Sequence, residues 1–576
     1  MAAATALALA VTACSKPTPA PTQTEGFNAA VGQVYNASDY KGGTLTFAVS
    51  SDWDSVDPGD TYYGLSWNLV RLYSRSLVMF KPQPGKAGNE LTPDLAQSLG
   101  TPSDGGKTWT YKLRSGLKFE DGTPITSKDV KYAVLRSLDS SVLKNGVGPY
   151  YMGVYLDLEP GYVGPYTTPN IEEKTAIETP DDQTIVFHLK QPFGGFDYFA
   201  MLPVTAPVPQ AKDKGALYKE HVVSSGPYMF ASYESGKGFT LTRNPNWDQS
   251  TDPNRQALPD GYNVKIGLKA DDIDQQIANG TIDVDLAGTG VQSAMLPQVL
   301  DEGNPLHARG DNPGSARLWY TSIIGTVAPL DNVHCRKAIE YAADRTGYQT
   351  AYGGPFAGGD INTSVLVPPI PGYKQIDPYP STDHKGDVDK AKDELNQCGQ
   401  PNGFSTTMAY RSDRPKEEAV AESLQQSLSR VGINLTLQGI PTGDYFSSTV
   451  GVPSYVVEHK IGLATNGWAA DWNDGYGMLG SIVDSRLINP NGGSSNLSVR
   501  DPDVDALVDQ ALGSSDAAAR EGIWAQVDAK VMDDAYILPG VWSKAVTLRS
   551  KNAANIFVNE AFGQYDYLTM SVAPPA

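Results

Sequence analysis

The stretch from Ser405 to Leu437 constrains the fold more than any other part of the chain. Ser405 to Tyr410 reads as extended, and Arg414 to Val431 as a helix with Val420, Leu424, Leu428 and Val431 on one face. Gly432 stops that helix, and Ile433, Leu435 and Leu437 alternate in the next strand. Strand, helix and strand in that order form a βαβ unit, which requires a parallel sheet with helices packed on its faces. Asp331 to Asp344, Asp503 to Leu512 and Ala517 to Met532 add amphipathic helices, so the fold class is α/β.

The first half has a different rhythm. Leu45, Phe47 and Val49 alternate in a strand ended by Asp52, Trp53 and Asp57-Pro58, and Trp109, Tyr111 and Leu113 alternate in a second. After the turn EDGTP, Thr126 or Ser127 can cap a helix that carries Val130, Val134 and Leu138. Gln183 to Lys190 and Phe239 to Arg243 supply further strands. The 576 residues exceed the roughly 250–300 at which one hydrophobic core stops growing, so at least two lobes are expected.

Composition narrows the function. A net charge of −20 repels phosphate backbones and anionic lipid surfaces, which excludes nucleic acid as a natural partner. Three Cys and six His, with no CxxC or HExxH, leave no material for a metal site, and no cofactor is expected. Gly100 to Thr108 misses the spacing of a phosphate-cradling loop by one residue and reads as a lead into the Trp109 strand. Arg309-Gly310-Asp311 is a chance tripeptide. With no GxSxG or GxGxxG and no pair of carboxylates set apart as acid and base, the chain is not expected to be an enzyme.

Met1 to Ala13 is a short apolar run, too short to span a membrane, that reads as a signal peptide core. Its lack of basic residues is expected if Met1 lies downstream of the true initiator. The run ends in Val11-Thr12-Ala13-Cys14, which resembles a bacterial lipobox and makes Cys14 the lipid-bearing residue. Ser15 to Glu25, rich in Pro and Thr, buries nothing and reads as a tether. The protein is thus expected outside the bacterial cytoplasmic membrane, held by lipid at its outer face. Export makes a disulfide between Cys335 and Cys398 the expectation for the two remaining thiols.

Asn466 to Leu479, NGWAADWNDGYGML, follows the apolar run Ile461 to Ala464 and reads as a loop at a strand end, where open α/β sheets place ligands. Its rings supply apolar walls, and a carboxylate withdrawn from water there demands a cation such as an ammonium group; the same residues fit equally a reading in which both Trp belong to the core and both Asp form turns.

Several segments together resemble the family 5 extracytoplasmic solute-binding proteins, the oligopeptide, dipeptide and nickel-binding group that serves ABC importers. They are GGTLTFAVSSDWDSVDP (42–58), LTPDLAQSL (91–99), WTYKLRSGLKFEDGTPITSKDVKYAVLRS (109–137), SGPYMF (225–230) and LTRNPNW (241–247), followed by IANGTIDVD (277–285), VHCRKAIEYAADR (333–345) and GWAADWND (467–474). The resemblance spans nearly the whole mature chain.

It implies a two-lobed periplasmic-binding-protein-like fold (type II, cluster C) with two hinge strands and an extra N-terminal subdomain. On that pattern residues 1–13 are the signal peptide and 14–40 the lipidated Cys and tether. Residues 41–75, 179–317 and 545–576 form lobe I, 76–178 its extra subdomain, and 318–544 lobe II. The resemblance further implies that Asp471 pairs with the α-ammonium of a bound peptide, with Trp468, Trp472 and Asn473 beside it, while Tyr62, Tyr63 and Trp67 line the cleft from lobe I. Partners would be a peptide and the permease subunits of an ABC transporter with their ATPases, the protein itself acting as a monomer. Where some oligopeptide binders carry a basic residue before Gly-Trp, this chain has Ala464, Thr465 and Asn466. An oligosaccharide or a nickel chelate is the alternative ligand on the same fold.

Overall fold

The computed structural model describes residues 26–50 and 55–575. Cys14, the signal peptide and the tether up to Glu25 lie outside the described residues. Three sheets organise the rest. In the first, Thr44–Val49 lies between parallel neighbours, Gly261–Ile266 and Val284–Asp285, and Gly238–Arg243 and Tyr228–Glu234 extend the sheet antiparallel. Its alternating Leu45, Phe47 and Val49 are buried.

The second sheet is antiparallel, in the order Thr101–Ser103, Thr108–Lys112, Thr184–His188, Ile177–Asp181. Thr101 to Thr108 is a short hairpin turn into the Trp109 strand. The helix Ser127–Ser137 is started by Thr126 in a reciprocal cap: its hydroxyl oxygen accepts from the Asp129 backbone, while the Asp129 carboxylate accepts from the Thr126 N–H at 2.8 Å.

The third sheet has six strands in the order Gly359–Ile361, Ile537–Lys544, Gly314–Ile323, Ile461–Ala469, Ser405–Arg411, Asn434–Ile440. Ser405–Arg411, helix Pro415–Ser429 and Asn434–Ile440 form the βαβ unit, with the two strands parallel in unbroken register. The sheet as a whole is mixed, because Gly314–Ile323 and Ile537–Lys544, through which the chain enters and leaves it, run antiparallel to their neighbours. Successive residues face opposite layers: Met408 and Leu463 join the core under helices Val333–Ala342, Arg345–Tyr352 and Pro415–Ser429, while Ala409 and Ala464 join the core holding Tyr445 and Val456. Cys335 and Cys398 are joined by a disulfide between the helix Val333–Ala342 and the C-terminal end of the helix Val388–Gln397.

Arg309-Gly310-Asp311 is structural. Asp311 is fully buried, bonded to the Arg549 guanidinium and to the Tyr565 hydroxyl at 2.7 Å, and Arg309 donates to the carbonyls of Ile277, Ala278 and Arg549.

Buried ion pairs tie the segment that follows the first strand to the rest. Arg136, at the end of its helix, grips Asp57 with two bonds of 2.9 Å and reaches Asp213 at 3.1 Å, with its guanidinium 4.9 Å from the Tyr218 ring centroid. Removing one partner of such a cluster leaves charge stranded in a low-dielectric interior, whereas replacing both sides with apolar groups costs much less. Arg136→Met should therefore lower the unfolding free energy by about 3–5 kcal/mol in chemical denaturation, and the added change Asp57→Leu should recover part of that loss.

Candidate functional site

The ladder between Gly314–Ile323 and Ile461–Ala469, the two central strands of the third sheet, leads to the site just past the end of the second of them. Trp319 stands opposite Gly467 and Arg317 opposite Ala469. Gly467 is required there by packing: a Cβ on it would lie 2.1 Å from the Trp319 ring. Beyond the strand the chain folds back on itself. The Asp471 N–H donates to the Gly477 carbonyl at 3.1 Å, and the Trp468 indole N–H donates to the same oxygen at 3.3 Å. Gly475 lets the turn settle against Trp524, whose ring would lie 2.0 Å from a Cβ at that position.

This fold-back presents Asp471 to the other side of the molecule. The Tyr62 hydroxyl donates to its Oδ1 at 2.6 Å. Burial pushes the Asp471 carboxyl up to about 6, and hydrogen bonds from the Tyr151 and Tyr62 hydroxyls pull it back only in part. Burial, reinforced by the neighbouring carboxylate, drives the Tyr62 and Tyr151 hydroxyls well above their ordinary range, so both remain donors. Among the described residues no cationic side chain forms an ion pair with Asp471. A half-buried carboxylate held by two neutral donors is a site that a cation completes.

The neighbouring residues take other positions. Trp472, expected beside a ligand, is 2% exposed, its ring 5.0 Å from Tyr151 and 5.5 Å from Phe199, and it packs stacked on Tyr198 at 6.3 Å. Four rings, counting Tyr476 at 6.1 Å, offer an indole more apolar contact than a wet cleft does. Asn473 is also buried; its Nδ2 donates to Asn89 Oδ1 at 2.7 Å and to the Glu560 carbonyl at 3.0 Å. Tyr155 and Tyr476 add a hydroxyl pair at 3.0 Å. As placed, Trp472 and Asn473 are buried and clamp the loop to segments distant in the chain. Trp67 is buried, with its indole N–H on the Thr61 carbonyl at 3.3 Å and its ring 6.1 Å from Tyr62. Trp468 is half-buried, and Tyr63 is exposed. Asp471 and Tyr62 are thus brought together, with Tyr63 and Trp468 nearby in sequence, and Tyr151 is a member of the site that local sequence did not mark.

The family model for bacterial extracellular solute-binding proteins, family 5, matches residues 90–489. The chain belongs to that family. This binding protein is 26% identical over 508 residues to the probable D,D-dipeptide-binding periplasmic protein DdpA of Escherichia coli K12, covering 85% of this chain and 87% of that one. It is 26% identical over 524 residues to the glutathione-binding protein GsiB of the same strain, covering 89% and 92%. Among solved structures, clavulanic acid biosynthesis oligopeptide binding protein 2 superposes with a TM-score of 0.90 at 42% identity, covering 96% of this chain and 99% of that one. The fold is the two-lobed α/β architecture of these proteins. Among the described residues no helix is long and apolar enough to cross a membrane.

The raised pKa of Asp471 has a stability consequence. In the unfolded chain Asp471 titrates near 3.8 and in the binding protein near 6, so the folded form holds the proton more tightly and loses stability as pH rises through that window. Asp471→Asn removes this penalty. In thermal melts of the ligand-free binding protein it should raise the midpoint at pH 7.5 relative to wild type, with the difference shrinking toward zero by pH 4.

Proposed function

We propose that this binding protein captures short peptides between its lobes and hands them to the permease of an ABC importer. The observation that carries the reading is Asp471: a carboxylate withdrawn from water, held by Tyr62 from across the molecule, with no cation of the protein's own among the described residues. The ammonium end of a peptide supplies the missing charge and can displace or share the tyrosine donors. A cation that every peptide carries gives affinity without reading side chains. The printed names of the relatives, a D,D-dipeptide binder, a glutathione binder and an oligopeptide binder, agree with that chemistry.

Several finer assignments belong to the same proposal. Gly314–Ile323 and Ile537–Lys544 act as the hinge strands, so that ligand contact with Asp471 on one side and Tyr62 on the other favours the shut form. Tyr63 and Trp468 contribute to the walls. Cys14 carries the lipid, and the Pro/Thr-rich segment after it keeps the folded body at the outer face of the membrane beside the permease.

The proposal is tested by native mass spectrometry of gently purified protein followed by calorimetric titration of the peptides recovered. Peptide adducts should appear. Asp471→Ala, which strands a buried ammonium without its partner, should weaken binding by about 2–5 kcal/mol, a factor of 30 or more. Adducts consisting of sugar or a metal chelate, or peptide affinity untouched by Asp471→Ala, would refute it.

A further inference from the structure

A cavity of about 20 Å³ lies beside the first sheet, bordered by the helix Ala270–Asn279, the loop that follows Val284–Asp285, the pair Thr547 and Leu548 and the residue Gln564. That volume suits one body the size of a water molecule. Two carboxylates line it, Asp274 on the helix and Asp285 at the end of its strand. Each spends one oxygen locally: Asp274 Oδ2 accepts from the Gln292 N–H at 2.7 Å, and Asp285 Oδ1 accepts from the Ala287 N–H at 3.0 Å. The second oxygen of each accepts no hydrogen bond among the described residues. The Asp274 charge acts on Asp285, Asp271 acts on Asp274, and among the described residues no Lys, Arg or His pairs with either lining carboxylate.

Carboxylates without a cation occur elsewhere in this interior, as at Asp528, which accepts from the backbone N–H groups of Val365 and Leu366, so charge alone marks no site. The cavity differs by a third group. Gln564 is 7% exposed and lines the same space, and its side-chain amide makes no hydrogen bond among the described residues. Gly288 admits that amide: a Cβ there would lie 2.4 Å from Gln564 Oε1, and its φ of +61° is one that glycine adopts freely. The Tyr565 and Tyr567 hydroxyls, also on the wall, donate elsewhere, to Asp311 at 2.7 Å and to the Leu286 carbonyl at 3.1 Å. Three acceptor oxygens from three separate segments thus border one small space. A water molecule donates only two hydrogens to them and leaves both charges in place. Hard cations are held by oxygen sets of this kind, and a divalent ion balances two carboxylates.

We infer that this cavity is a binding site for one divalent hard cation of the calcium class, held by Asp274, Asp285 and Gln564. The site shares no residue with the peptide site and stands independently of it. It uses neither Cys nor His, which is why spaced-ligand motifs give no sign of it. The ion joins the helix, the loop and the C-terminal segment next to Thr547 and Leu548, where the chain comes back from the third sheet. It thereby stiffens the base on which the strands that leave the first sheet's side of the molecule are mounted.

The test is calorimetric titration of CaCl₂ into chelator-stripped full-length protein at pH 7.5, with NaCl at matched ionic strength as the control titrant and the thermal midpoint as a second readout. Wild type should take up one Ca²⁺ with a dissociation constant of about 10⁻⁴–10⁻³ M, the range of extracellular calcium modules, and its midpoint should rise. Asp285→Asn should weaken binding roughly 10-fold or more and remove the rise. Gln564→Glu, which adds a third carboxylate in nearly the same volume, should tighten binding roughly 3-fold or more. Because that variant gains affinity, a folding defect cannot imitate it. Absence of saturable Ca²⁺ binding by the wild type up to about 10 mM would overturn the site. Binding that both variants leave unchanged would overturn it too and place the ion on the acidic surface, and an equal response to NaCl would reduce the effect to ionic strength and overturn it as well.

Discussion

The antiparallel ladder between Gly314–Ile323 and Ile461–Ala469 is the constraint on which the rest depends. It fixes which residues meet near the end of the two central strands: Trp319 over Gly467, Arg317 beside Ala469, and, once the strand ends, Asp471 placed by the bond from its N–H to Gly477. A slip of one residue would send every one of these side chains to the opposite face. The close approach of the Trp319 ring to Gly467 blocks such a slip, because any other residue at that place puts a Cβ inside the ring. The geometry of the site is thus inherited from a packing requirement two residues into the sheet.

Around this ladder the electrostatics are left deliberately incomplete in a physical sense. Several buried charges elsewhere are paired closely: Arg136 with Asp57 and Asp213, Arg255 with Asp94 and Asp252, Arg549 with Asp311. Asp471 is held by hydroxyl donors instead, just as the buried Asp528 and Asp285 are held by backbone N–H groups. A carboxylate withdrawn from water is costly unless paired, which is the chemical ground for the ammonium group proposed as its partner.

Much of this fold was legible in the chain. The βαβ unit was readable because its helix had a 3.6-residue stripe and its strands an alternation of two, and a cap at Thr126 or Ser127 because a hydroxyl residue precedes the apolar stripe; the Asp129 carboxylate decides for Thr126. Those signals are local. Family resemblance in the GWAAD segment singled out Asp471, but the hydroxyl of Tyr62 reaches it from 409 residues away and no periodicity announces such a meeting. Trp472 was ambiguous for a related reason: an indole fits the wall of a ligand cavity and the inside of a core equally well, and only the rings of Tyr151, Tyr198 and Phe199 decide for the second. The mixed character of the third sheet also escaped, because strand direction at the two crossings depends on where the chain has come from.

The enclosure of Trp472 and Asn473 bears on how a molecule of this kind signals that it is loaded. Their contacts with Tyr198, Phe199, Asn89 and Glu560 are formed by the protein alone and contribute equally whether the cleft is vacant or filled. On the closure proposed above, contacts of this kind favour the shut form without a guest, so that less of a guest's interaction energy is taken up by bringing the halves together. By the same amount they blunt the difference in shape between laden and vacant carriers, and a transporter that sorts carriers by outline alone would waste cycles on vacant ones.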